Sequence, residues 1–255
     1  LAGGTPVHYI CDELSGWEPD LEDIRSKVTP ATKAIVIINP NNPTGRMLDR
    51  AALGEIVEIA RRAGAWLIVD EVYAGLEWVG PRAPSIAGMY ERGITVGSVS
   101  KALGLQGLRT GWLICRDPGL VMDAVIRREN SSEIMNIMGE AIAEIALRPE
   151  RYDAAMERAR ADGLTNLEQL DRFVTGQPRL SWVRPEAGLI GLARLQADID
   201  GDDFAKRLLA DPYRTFLLPG SAYEQPQHIR LGVGGGEGVN LELGLARVAA
   251  LLATL

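Results

Sequence analysis

The first half of the chain alternates two patterns, and this alternation limits the folds open to it. Short apolar runs rich in β-branched residues occur at residues 34–38, 66–69, 94–96 and 112–115. Between the first two runs, apolar residues fall at helical spacing, with Asp49 placed to cap a helix and Gly64 placed to end it. Strands that alternate with helices are typical of βαβ units around a mostly parallel sheet.

The second half changes to longer helical stretches and then to strands. A helix is predicted from Pro118, capped by Asp117, toward Leu147, where Arg148 and Pro149 interrupt the pattern. A helix over 152–174, strands near 189–195, 215–218 and 228–233, and a closing helix over 240–252 follow. We therefore predict an α/β fold: a large domain over residues 1–148, with a three-layer, mostly parallel sheet, and a smaller C-terminal α+β domain over residues 149–255.

Composition excludes several classes of protein. The 255 residues carry a formal net charge of -7 without a stripe of Lys or Arg, so a nucleic-acid partner is not expected. The two cysteines, Cys11 and Cys115, are too few for a disulfide framework and lack the spacing of a metal site, so we predict no metal and a cytoplasmic location. No apolar run approaches the ~20 residues of a membrane span. Because the chain opens with Leu1, we expect a processed or truncated product.

The first polar cluster, NPNNPTG at 39–45, follows the strand over 34–38. Open α/β sheets bind ligands at the carboxyl ends of their strands, and Asn42 could there offer its amide to a phenolic oxygen. The alternative is a turn that merely ends a strand.

The second cluster is DEVY at 70–73, directly after the apolar run over 66–69. A carboxylate at such a strand end is costly unless it meets a cation, and a protonated pyridine nitrogen is one such cation. Tyr73 could hydrogen-bond the phenolic oxygen of the same ring. The alternative for Asp70 is a helix-capping role.

The third cluster follows the run over 94–96 and contains Ser98, Lys101 and Arg109. A lysine beside a buried strand can lose its proton through desolvation and act as a nucleophile toward an aldehyde. The hydroxyl of Ser98 and the forked cation of Arg109 suit a phosphate. The alternative is a surface loop with a solvated lysine.

The last candidate is Arg230, in HIRLG at 228–232. On a period of two, Arg230 faces away from Ile229 and Leu231, and an arginine beside a cleft can bind a carboxylate through two hydrogen bonds. The alternative is a strand arginine in an ordinary salt bridge.

Together these segments resemble the fold type I pyridoxal-phosphate family, specifically the class I/II aminotransferases related to aspartate aminotransferase. The segments are NPNNPTG at 39–45, DEVY at 70–73, SVSKALGLQGLRTGW at 98–112 and HIRLG at 228–232. The resemblance implies a pyridoxal 5'-phosphate cofactor. It also implies that Asn42 and Tyr73 contact the ring oxygen, that Asp70 pairs with the ring nitrogen, and that Ser98 and Arg109 bind the phosphate.

The same resemblance implies that Lys101 holds the cofactor in a Schiff base and that Asn42 and Arg230 bind the substrate, Arg230 through its α-carboxylate. The implied reaction moves an amino group between an amino acid and a 2-oxo acid, in a homodimer. The family's amino-terminal third has no counterpart in this sequence. That third carries a glycine-rich phosphate turn, an aromatic that stacks on the ring and an arm that covers the substrate.

Two alternatives remain open. A lyase, decarboxylase or cyclase on the same scaffold needs the same lysine, carboxylate and phosphate clamp, since the reaction depends on which bond stands perpendicular to the ring. A cofactor-sensing domain of a transcription regulator would carry a basic helix-turn-helix ahead of this fold.

Overall fold

The computed structural model describes residues 3–234 and 240–255. The helices are α1 (Leu21–Lys27), α2 (Arg50–Ala63), α3 (Pro118–Ser132), α4 (Ile137–Ala146), α5 (Pro149–Thr175), α6 (Gly201–Leu209) and α7 (Leu241–Leu252). The strands are β1 (Ala34–Ile38), β2 (Trp66–Asp70), β3 (Gly93–Ser98), β4 (Gly111–Cys115), β5 (Leu180–Trp182), β6 (Ile190–Leu195), β7 (Leu218–Pro219) and β8 (His228–Gly232).

The first sheet has the order β1-β2-β3-β4 and is mostly parallel, as predicted. Strands β1, β2 and β3 run parallel, whereas β4 runs antiparallel to β3. The pairing aligns Ile38 with Asp70, and Ser98 with Gly111. The carboxyl ends of three strands and the amino end of the fourth therefore meet at one edge.

Helix α2 packs on one face of this sheet, and its ends are the ones the sequence predicts. The Asp49 side chain accepts a hydrogen bond from the Ala52 backbone N–H, and Gly64 closes the helix with a φ of 64°. Leu53 and Ile56 are fully buried against the sheet. The opposite face is more open, since Val36 is 54% exposed.

The second sheet is antiparallel, with the order β5-β6-β8-β7. Its core is formed together with helices α5, α6 and α7, whose buried side chains include Leu167, Phe204 and Val248. The proposed domain boundary after residue 148 falls in the turn between α4 and α5.

The structure corrects several local predictions. The helix expected from Pro118 to Leu147 is two helices, because Glu133 takes a φ of 50° and Asn136 caps the Gly139 N–H of a new helix. The strand expected over 215–218 is reduced to β7. Helices α1 and α6 and strand β5 were not predicted. Among the described residues, every helix is too short or too polar to cross a membrane.

Candidate active site

A cleft of about 640 Å³ opens at the sheet edge where β1, β2 and β3 end. Six of the side chains proposed from the sequence line it: Asn42, Asp70, Tyr73, Ser98, Lys101 and Arg109. The parallel strands bring these residues together because each cluster directly follows a strand.

The turn that carries Asn42 is fixed by its neighbours. The Asn39 side chain is fully buried and exchanges two hydrogen bonds with the backbone of Leu48. Thr44 Oγ1 donates to Asn41 Oδ1 at 2.9 Å. Asn42 Oδ1, in contrast, is buried and has no hydrogen-bond partner among the described residues. A buried polar atom without a partner is costly, so this end of the amide is available to a bound group.

Asp70 ends β2 and is half-buried at the cleft. Its Oδ1 accepts a hydrogen bond from the Val72 N–H at 3.0 Å. No helix begins after Asp70, so this bond closes a turn and the helix-capping role considered from the sequence is not observed. The Asp70 carboxylate also lines the cleft.

Tyr73 is enclosed between the two sheets and is 4% exposed. A Cβ built at Gly188 would lie 3.2 Å from the Tyr73 ring, so the glycine lets the loop close over it. Burial raises the pKa of the Tyr73 phenol, the Arg230 cation opposes the rise, and Tyr223 and Asp70 add to it. The phenol is thus held in its protonated form, able to donate a hydrogen bond.

Lys101 lines the cleft, but its side chain is exposed. The sequence-based expectation that this lysine is desolvated is therefore wrong. The reason is its position three residues beyond the end of β3, in a turn at the mouth of the cleft. No described acidic residue pairs with its ammonium group in a salt bridge, which leaves Lys101 Nζ accessible.

Ser98 and Arg109 lie on either side of this turn. Ser98 Oγ accepts a hydrogen bond from the Ser100 N–H at 3.2 Å. Arg109 is exposed, has a φ of 55°, and donates from Nη1 to the Gln106 carbonyl at 3.2 Å. The carbonyl contact does not neutralise the Arg109 guanidinium, so its positive charge is available to an anion in the cleft.

Trp112 also lines the cleft, and the sequence did not single it out. It pairs with Gly97 across the antiparallel β3–β4 ladder. A glycine inside a strand is a signal of close approach, and Gly97 carried that signal.

Arg230 lies in β8 of the second sheet, next to Tyr73 but outside the lining of the cleft. Its Nη1 donates to the Tyr223 hydroxyl at 2.6 Å. The salt bridge considered from the sequence is absent for the residues described, because no Asp or Glu among them lies within 4.0 Å of its nitrogens. Tyr223 was not predicted and carries no sequence signal of its own.

The described part of the chain holds no group of three His, Cys, Asp or Glu side chains that could bind a metal ion. The proposed residues that line the cleft supply an amide, a carboxylate, a phenol, a hydroxyl, an amine and one guanidinium.

Comparison with known proteins agrees with this geometry. Residues 1–248 match the model of the aminotransferase class I and II family. The alanine aminotransferase of Mycobacterium tuberculosis H37Rv is 33% identical over 245 residues, which cover 91% of this chain and 56% of the relative. The glutamate-pyruvate aminotransferase AlaA of Escherichia coli K12 is 31% identical over 248 residues, covering 91% of this chain and 60% of the relative.

Among solved structures, a PLP-dependent aminotransferase from Streptococcus suis superimposes with a TM-score of 0.89 at 33% identity. That alignment covers 95% of this chain and 63% of the other. The chain thus spans less than two thirds of the length of these relatives. With the family model matched almost from end to end, the chain belongs to the aminotransferase class I and II family.

Proposed function

We propose that the protein is a pyridoxal-phosphate-dependent aminotransferase that moves an amino group between an amino acid and a 2-oxo acid. The observation that carries the proposal is the convergence of Lys101, Asp70, Tyr73 and Arg109 on one cleft. Asp70 and Tyr73 lie at the end of β2, and Lys101 and Arg109 lie in the connection between β3 and β4. Each supplies a group that a phosphorylated pyridine aldehyde requires.

The residues present fit this cofactor. The cleft volume, about 640 Å³, lies in the range of small-molecule sites. Ser98 and Arg109 would hold the phosphate, and Asn42, with its unpartnered buried Oδ1, would lie with Tyr73 at the ring oxygen. Since amide oxygen and nitrogen are assigned from contacts, the Asn42 side chain can present either end.

When bound, the cofactor supplies an electron sink for the charge that develops at the substrate α-carbon. The Asp70 carboxylate would keep the ring nitrogen protonated, because an opposite charge at contact distance favours the protonated form. Lys101 Nζ would hold the cofactor covalently and, when free, move a proton at the α-carbon. Arg230 would bind the substrate α-carboxylate through its guanidinium.

The names of the relatives suggest the first substrates to assay, which are alanine or glutamate as donor and pyruvate or 2-oxoglutarate as acceptor. We further propose a homodimer in the cytoplasm. Both cysteines, Cys11 and Cys115, are free thiols, as a reducing compartment favours.

The test is amino transfer by the cofactor-loaded protein, measured with a panel of amino donors and 2-oxoglutarate. We expect transfer by the wild type and by Lys206→Ala, which changes an exposed lysine of α6 paired with Asp203. Lys101→Ala should lose transfer, and borohydride should no longer fix the cofactor to the protein.

Release of ammonia or carbon dioxide without amino transfer would favour a lyase or decarboxylase over the proposed reaction. Retention of covalently trapped cofactor by Lys101→Ala would remove Lys101 from its role.

A further inference from the structure

The hydroxyl of Tyr223 is the one hydrogen-bond acceptor that the described residues offer to the guanidinium of Arg230. Arg230 Nη1 donates to Tyr223 Oη at 2.6 Å, and the guanidinium carbon lies 5.8 Å from the centre of the Tyr223 ring. Both side chains are half-buried. A hydrogen bond from a charged donor in such a place is stronger than one between neutral groups.

The chemical type of this partner matters. An aspartate or glutamate in the place of Tyr223 would orient Arg230 equally well, but its charge would offset the cation. A phenol accepts the hydrogen bond and leaves the positive charge for an incoming carboxylate. The remaining guanidinium N–H groups of Arg230 make no hydrogen bond with a described residue, so they stay available.

The backbone holds both members of the pair in a fixed relation. Arg230 lies in the middle of β8, paired with Leu192 of β6 and Leu218 of β7. Tyr223 ends a 3-10 turn at Gly220–Tyr223, where the Gln225 N–H donates to the Gly220 carbonyl at 3.0 Å. A Cβ at Gly220 would lie 2.2 Å from the backbone carbonyl oxygen of Gln225, so the turn admits no other residue in this form.

We propose that Tyr223 is a positioning residue that holds the Arg230 guanidinium in the orientation that binds a carboxylate. An arginine side chain loses rotamer entropy when it is fixed, and an aromatic partner that fixes it beforehand reduces the entropy lost at binding. This inference rests on the proposed function in taking the ligand of Arg230 to be the substrate carboxylate.

The probe is 2-methylalanine, an amino acid without the α-hydrogen that amino transfer removes, so its binding can be measured by calorimetry without turnover. In Tyr223→Phe, which keeps the ring, we expect the Kd for 2-methylalanine to rise roughly five- to tenfold, the effect of part of a charged hydrogen bond. With a reactive donor, KM should rise by the same factor while kcat stays within about twofold. This is the result expected when the lost contact stabilises the bound substrate and the transition state equally.

The matched control is Tyr152→Phe. Arg82 Nη2 donates to Tyr152 Oη at 2.9 Å, with the guanidinium carbon 5.6 Å from the ring centre, so the contact is of the same kind. Tyr152 does not line the cleft, and its variant should bind 2-methylalanine as the wild type does.

A double-mutant cycle separates positioning from a direct contact. If Tyr223 acts through Arg230, Tyr223→Phe should have no further effect on Kd in an Arg230→Ala background. An unchanged Kd in Tyr223→Phe, or an equal rise in both backgrounds, would overturn the inference, as would a wild type that does not bind the probe.

Failure of the proposed function gives a different result. A wild type that binds 2-methylalanine but transfers no amino group would contradict the aminotransferase assignment. The effect of Tyr223→Phe on Kd would still decide the positioning role.

Discussion

The indole of Trp112 occupies the space that a side chain at Gly97 would need. A Cβ built at Gly97 would lie 2.5 Å from Trp112 Nε1. Gly97→Ala should therefore push the indole into the cleft or separate β3 from β4, lowering the free energy of unfolding by about 1–3 kcal/mol, as overpacking does. Urea denaturation measures that change, and titration with pyridoxal phosphate should show weaker binding.

Gly107→Ala is the control for this substitution, since a Cβ at Gly107 meets nothing within 4 Å. It lies in the 3-10 turn beside the same cleft. Equal stability of the two variants would contradict the packing relation between Gly97 and Trp112.

The sequence predicted the parts of this site that depend on local order along the chain. Asn42, Asp70 and Ser98 were found because each follows a strand, and parallel strands end at one edge. The contact between Trp112 and Gly97 was not predicted because it depends on the β3–β4 register. That register pairs two residues 15 positions apart in the chain, and the sequence pattern of the intervening turn does not predict it. The exposure of Lys101 was missed for a related reason, since burial depends on which segments cover a turn.

The turn that carries Asn42 is connected to the second sheet through Glu186, which lies in the loop between β5 and β6. Arg46 Nη1 donates to Glu186 Oε1 at 2.7 Å, and the Met47 N–H donates to Glu186 Oε2 at 3.2 Å. The backbone N–H of Glu186 also donates to the Gly45 carbonyl at 2.9 Å. Glu186→Gln should weaken this connection and lower the free energy of unfolding by about 1–2 kcal/mol, the range of a partly exposed charged hydrogen bond.

Cofactor affinity should fall with it, because the Asn42 amide loses its fixed position. Glu157→Gln, on the exposed side of α5, is the control, and both variants can be compared by chemical denaturation and by cofactor titration. An affinity unchanged in Glu186→Gln would show that Asn42 is held without this connection.

His228 gives the stability a dependence on pH. The side chain is 1% exposed, and burial lowers its pKa from the ordinary value of 6.5, assisted by Arg194 and opposed by Glu13. In the pH window below 6.5, the unfolded chain therefore binds more protons at this imidazole than the folded chain does. The free energy of unfolding rises with pH across this window and falls as the pH is lowered.

We expect the free energy of unfolding to decrease between about pH 7.5 and 5.5, and to decrease less in His228→Gln. His8→Gln is the matched control, because the sequence contains two histidines and His8 is exposed. Parallel pH profiles for the wild type and His228→Gln would contradict a neutral buried imidazole.

Two neighbouring carboxylates at the end of β2 should respond in opposite ways to loss of charge. Glu71 Oε1 accepts from the Ile86 N–H at 2.9 Å and from Thr95 Oγ1 at 3.1 Å, so its carboxylate joins the strand end to adjacent segments. Glu71→Gln should lower the free energy of unfolding by about 1–2 kcal/mol and keep amino transfer per folded molecule.

Asp70→Asn keeps an acceptor for the Val72 N–H but removes the charge that faces the cleft, so stability should change by less than about 0.5 kcal/mol. Amino transfer should fall on the order of 10²-fold, as it does when one preorganised electrostatic contact is removed from an active site. The two measurements together identify which carboxylate serves the reaction. A stable, fully active Asp70→Asn would mean that the ring nitrogen is not held by residue 70, and the assignment of the cleft would then need another counter-charge.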